Sequence, residues 1–182
     1  MNTEGNKKKL DLYSKILDTM PYGIIVANVK GEFTLWNNRA LPVFGGIKNT
    51  TSPQDNWVYD FGVYTMDKVT KYNTEDLPLS RALKGEVVTN EKMYIKQSEE
   101  DGVYLKLCAF PLYDSKGNIE GGLITFDDIT REQQLYDKLI NKIDDLYKFL
   151  ADAIKLEVGP NTSVKQIEAL TSIIKQSGSE LY

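Results

Sequence analysis

From Arg131 to Leu156 the sequence contains neither glycine nor proline, and this stretch follows without a linker on Ile119 to Ile129, an apolar run that reads as a strand. A chain that passes straight from strand to uninterrupted helix must finish its sheet near residue 129 and be helical afterwards. Within the helical stretch Tyr136, Leu139, Ile143, Leu146, Leu150 and Ala153 alternate steps of three and four, with charged residues filling much of the rest. An amphipathic helix lying on its own sheet would show a similar stripe. The heptad register and the unbroken length favour the seam of a coiled-coil pair. Gly159-Pro160 ends this segment, and Ser163-Val164-Lys165-Gln166 reads as a capping box opening a last short helix with the stripe Val164, Ile167, Leu170 and Ile174.

The preceding residues alternate between helix and strand signals. Leu10, Tyr13, Ile16, Leu17 and Met20 form a helical stripe that Pro21 stops. Tyr22 to Val29 is a short buried strand, Lys30-Gly31 a turn, and Phe33 to Trp36 the second arm of a hairpin. Asn37-Asn38 is placed to cap a short helix from Arg39 to Phe44, ended by Gly45-Gly46. Residues 47 to 76 are the least legible, although the alternation of Trp57, Tyr59 and Phe61 predicts an extended segment with one buried face. Leu77 to Leu83 is a short helix with Glu75 and Asp76 at its positive end. Strands follow at Val87 to Gln97, Val103 to Leu112 and Ile119 to Ile129, joined by hairpin-like links. The expected fold is α+β: a five-stranded antiparallel sheet flanked by short helices. It divides into an N-terminal amphipathic helix (residues 1–21), a globular domain (22–130), a coiled-coil helix (131–158) and a short C-terminal helix (159–182).

Composition narrows the chemistry. The chain has no histidine, which removes imidazole bases, histidine metal ligands and a phospho-accepting histidine together. The single cysteine, Cys108, forms no internal disulfide, as expected of a reducing, cytoplasmic setting. A net charge of −4 argues against a nucleic-acid surface, and no apolar run approaches the length of a membrane span. Asp127 and Asp128 are adjacent on a strand, so they point to opposite faces and cannot act as an acid–base pair across a substrate. No phosphate-binding loop is present, since Gly117-Asn118-Ile119-Glu120-Gly121-Gly122 lacks the lysine. No catalytic residue and no metal site are expected.

Several stretches together resemble a PAS domain, the sensory module of bacterial signalling proteins and of histidine kinases in two-component systems. They are Pro21 to Asn28 with Gly31 and Phe33; Asn38-Arg39-Ala40 with Phe44-Gly45; Leu77 to Glu86; and Ala109 to Asp114 with Gly117, Gly121-Gly122 and Asp128-Ile129-Thr130. The likeness spans about residues 10 to 131. It implies that the last strand leads into a signalling helix through an Asp-Ile-Thr motif, with Asp128 and Thr130 fixing the junction and Arg131 as a charge partner.

The resemblance also implies a cavity side to the sheet. From the strands Ile25, Ala27, Met93, Ile95, Leu107, Ala109, Ile124 and Phe126 would face it; from the helices, Phe44 and Leu83. Such a list fits an apolar ligand pocket and equally a plain packed core. Haem-binding PAS domains use a histidine, absent here. Flavin-binding light sensors carry a helical Asn-Cys-Arg-Phe-Leu motif, whereas Cys108 lies on a strand with its parity away from the pocket. No cofactor is evident, and a small apolar ligand is the remaining expectation. The implied function is a dimeric sensory input module, paired through Tyr136, Leu139, Ile143, Leu146 and Leu150, that signals to a downstream output domain or partner protein. The alternative is a ligand-free interaction scaffold.

Overall fold

A computed structural model of the chain describes residues 3–44, 54–98, 101–158 and 172. The chain divides into two units, residues 1–131 and 132–182. The expected last helix, with its capping box at residues 163–166, and the glycine stop at residues 45–46 lie outside the described residues.

In the first unit, helix α1 (Thr3–Thr19) leads into the hairpin β1 (Gly23–Asn28) and β2 (Phe33–Trp36). Short helices α2 (Ala40–Val43) and α3 (Trp57–Asp60), strand β3 (Val63–Tyr64) and helix α4 (Pro78–Ala82) follow. The chain then runs through three long strands, β4 (Val88–Lys96), β5 (Gly102–Tyr113) and β6 (Ile119–Asp128), and enters α5 (Thr130–Val158). All neighbouring strands are antiparallel, in the order β2-β1-β6-β5-β4-β3. The sheet therefore has six strands where five were expected. The extra one is the two-residue β3, too short to leave a periodic signal, which pairs Val63 with Ile95 at the sheet edge.

The segment around Trp57 corrects a second expectation. It is helical, not extended, because Trp57 and Phe61 lie four residues apart and share the inward face while Tyr59 points out. Trp57 is 2% exposed and Tyr59 70%.

Two β-bulges decide which side chains reach the core. Ile25 pairs with Trp36 but Ala27 pairs with Phe33, so β2 carries one extra residue and Phe33 and Trp36 face the same side although three apart. In β4 the register slips between Val88 and Glu91, and Asn90 takes a positive φ of 57° there. The slip resets the alternation so that Val88, Met93 and Ile95 are all buried.

Helix α4 is held to the sheet by charge. The Arg81 guanidinium grips Glu86 with two nitrogens and donates to Glu91 Oε2 at 2.7 Å. Glu91 Oε1 also accepts from the Tyr72 hydroxyl at 3.2 Å. This gives a physical reason for the residue pattern of the Leu77–Glu86 segment: Arg81 and Glu86 close the turn between α4 and β4.

Candidate functional site

The concave face of the sheet is filled with aromatic rings. Phe33 stacks on Trp57 at a centroid distance of 4.9 Å, and Phe44 meets Trp36, Phe61 and Phe126 edge-on at 5.3, 5.4 and 5.8 Å. Edge-to-face pairs of this kind contribute about 0.5–1.5 kcal/mol each beyond the burial of their area. The rings leave a cavity of about 60 Å³. Sites that enclose a drug-sized ligand run from roughly 300 Å³ upwards, so the cup is largely occupied by its own side chains.

Of the expected pocket residues, Ile25, Phe44, Met93, Ile95 and Ile124 line this cavity. Ala27, Leu107 and Phe126 belong to the same buried cluster and Leu83 packs against it, without reaching the cavity wall. Ala109 lies apart, in a smaller cluster with Ala82 and Val88. The sequence reading missed Phe33, Trp36, Trp57 and Phe61. The spacing of Trp57 and Phe61 was the available signal, once read at helical rather than strand period.

A second built site is the start of α5. The amide of Tyr104, on β5, donates to Thr130 Oγ1 at 2.9 Å, and the amide of Ile129 donates to Tyr104 O at 2.9 Å. Asp128 Oδ1 accepts from the amide of Thr130 at 2.9 Å, satisfying one of the orphan donors of the first helical turn. Asp128 and Thr130 thus sit together at the junction. Arg131 is exposed and makes no ion pair among the described residues.

A comparable fastening holds the other end. The Asn37 side chain is 2% exposed and uses both its polar atoms. Its Oδ1 accepts from the amides of Ile24 and Ala40 at 2.9 and 3.1 Å, and its Nδ2 donates to Leu17 O and Tyr22 O, both at 2.9 Å. Asp18 Oδ1 adds a bond from the Asn38 amide at 3.0 Å. Asn37 thus satisfies the first amide of α2, whose N-cap position falls on Arg39 without a side-chain cap bond, and it also ties the end of α1 to β1.

On the opposite sheet face, Lys68 sets its ammonium over the rings of Tyr94 and Tyr104, 5.2 and 4.8 Å from their centroids. Asp67 shapes the turn that carries it. Bonds from the hydroxyls of Thr65 and Thr70, then from the amides of Thr70 and Val69, hold its carboxyl well below the usual carboxylate range. Cys108 is partly exposed and lies beside a groove with Lys106 and Thr125, off the cavity, as its parity required.

In the second unit, α5 is described to Val158, and Tyr136, Leu139, Leu146 and Leu150 are exposed along it while Ile143 is partly buried. Among the described residues no helix is long and apolar enough to cross a membrane.

Residues 11–74 match the family model of the PAS domain. The fold is PAS-like. The PAS domain of a protein from Colwellia psychrerythraea is 18% identical, with 68% of this chain and 98% of that one covered at a TM-score of 0.49. That of BvgS from Bordetella pertussis is 20% identical, covering 76% and 98% at 0.44. An RNA-binding light-oxygen-voltage receptor is 12% identical over 77% of this chain and 38% of its own, at a TM-score of 0.51. Likeness at these identities concerns the fold. A comparison with curated proteins found no match.

Proposed function

We propose that this PAS domain is the sensory input module of a cytoplasmic signalling protein and works as a parallel dimer through α5. The observation that carries the reading is the row of exposed apolar side chains at Tyr136, Leu139, Leu146 and Leu150, on a helix whose first residue is bonded to β5. Leaving such a stripe in water costs the free energy that pairing with a second copy recovers, about 25 cal/mol per Å² of apolar area removed. A small apolar molecule in the cup would shift the rings against the sheet. Because Tyr104 holds Thr130 through its backbone, a shift of β5 is passed to the start of the helix. The output is a domain or partner protein beyond the paired helices.

A filled, ligand-free PAS scaffold is the second reading, and the small volume left between the rings favours it. Light scattering tests the pairing common to both. The intact chain is expected at twice its 20.6 kDa mass, and Leu139→Glu with Leu146→Glu at once its mass. A monomeric wild-type chain at micromolar concentration removes the basis of the proposal.

A further inference from the structure

The outer face of the sheet carries two features that work against the fold, and they lie side by side. Lys92 on β4 is directly opposite Lys106 on β5; both are exposed, and neither makes an ion pair among the described residues. Like charges held about 5 Å apart in a cross-strand pair repel and destabilise a sheet. The next pair on that face is Tyr94 opposite Tyr104, covered by the Lys68 ammonium. Lys68 holds a φ of 64°, a left-handed conformation that a lysine adopts only under constraint. Tyr64, opposite Tyr94, extends the row of rings to β3, with the Lys71 ammonium 5.8 Å from its centroid. Asp127 of β6 continues the row beyond Lys106, so the patch keeps a net positive charge on a chain whose total is −4.

We propose that this patch is a docking surface for an acidic segment of a partner protein. Local rules are broken twice on one exposed face without any gain to the core, which points to a use outside the folded chain. A carboxylate arriving between Lys92 and Lys106 replaces their repulsion with two attractions. Two observations favour protein carboxylates over a nucleic acid. Tyr94 and Tyr104 are 7% and 6% exposed, so their rings are closed to stacking bases. The cations are lysines, which lack the planar fork that grips phosphate and guanine with two bonds. Tyr104 is also the residue whose amide holds Thr130, so an occupant of the patch bears on the strand from which α5 starts. The inference goes beyond the sensory reading and depends neither on a ligand in the cup nor on pairing through α5.

The test adds a synthetic peptide of repeated Glu-Glu-Ala to the intact, ¹⁵N-labelled chain, with a Gln-Gln-Ala repeat as the uncharged control. The glutamate peptide is expected to move the amide signals of Lys92, Tyr94, Tyr104 and Lys106 saturably, and less as salt is added. The glutamine peptide is expected to leave them in place. Lys92→Gln is expected to weaken the glutamate peptide about threefold and to raise the midpoint of thermal unfolding by about 2 °C, because the repulsion is gone. Weaker binding together with higher stability separates a docking residue from a structural one. No response, a response spread over the whole surface, or binding untouched by Lys92→Gln would mark a solvated charged face and overturn the proposal. Oligothymidine or phosphatidylserine vesicles that bind the same residues more tightly than the glutamate peptide would overturn the acidic partner.

Discussion

Thr130 Oγ1 accepts a hydrogen bond from the backbone amide of Tyr104 at 2.9 Å, so the first residue of α5 completes the hydrogen bonding of β5 where β6 ends. The bond uses a side chain to continue a sheet ladder into a helix. Valine has the shape of threonine without the acceptor. Thr130→Val leaves the Tyr104 amide unpaired, and thermal unfolding is expected to show a loss of about 1–3 kcal/mol. Hydrogen exchange at the Tyr104 amide should accelerate with it, whereas Thr130→Ser, which keeps the oxygen, should stay near wild type.

Asp128 caps the same helix from two residues before its start. Asp128→Ala is expected to cost about 1 kcal/mol, while Asp128→Asn, an equally good capping residue, should cost only a few tenths. Equal losses in the two variants would show that the charge, and not the cap, is what counts. Urea unfolding of both distinguishes these outcomes.

Gly23 lies directly against Phe126, and a methyl group added there would overlap the Phe126 ring. That ring is buried and packed on Phe44, so it cannot swing aside freely. Gly23→Ala is expected to destabilise the domain by about 1–3 kcal/mol through overpacking. The partial rescue variant is Gly23→Ala with Phe126→Leu.

Burial, with the Glu91 carboxylate beside it, pushes the Tyr72 hydroxyl up to about 12 from its ordinary value near 10. The folded state holds this proton more tightly than the unfolded chain. Its contribution is therefore complete below pH 10 and is lost as pH rises towards 12. Tyr72→Phe is expected to unfold with a shallower pH dependence across that window. An identical slope in the two proteins would contradict the assignment.

Much of the strand layout was legible because three long runs, β4 to β6, are apolar, β-branched and separated by turn residues. The junction was legible through resemblance, since Asp128-Ile129-Thr130 carries the motif. What it bonds to, the amide of Tyr104, is a backbone partner 26 residues away and leaves no mark in sequence. The cavity was half legible. Ile25, Met93 and Ile95 follow from strand alternation, but only the bulge opposite Ala27 brings Phe33 and Trp36 to one face, and bulges have no reliable local signature. Trp57 and Phe61 are ambiguous in sequence because three aromatics in alternation satisfy a strand pattern and, taken as first and last, a helical one.

The central claim is that two copies of α5 run side by side in the same direction. Disulfide formation between single cysteines tests it, in a chain whose own Cys108 is changed to serine. In parallel paired helices Leu146 faces Leu146 of the second copy, so Leu146→Cys is expected to give a cross-linked dimer rapidly on mild oxidation, and Asp144→Cys, off the seam, very little. Equal slow cross-linking at both positions, or none at either, would contradict the account.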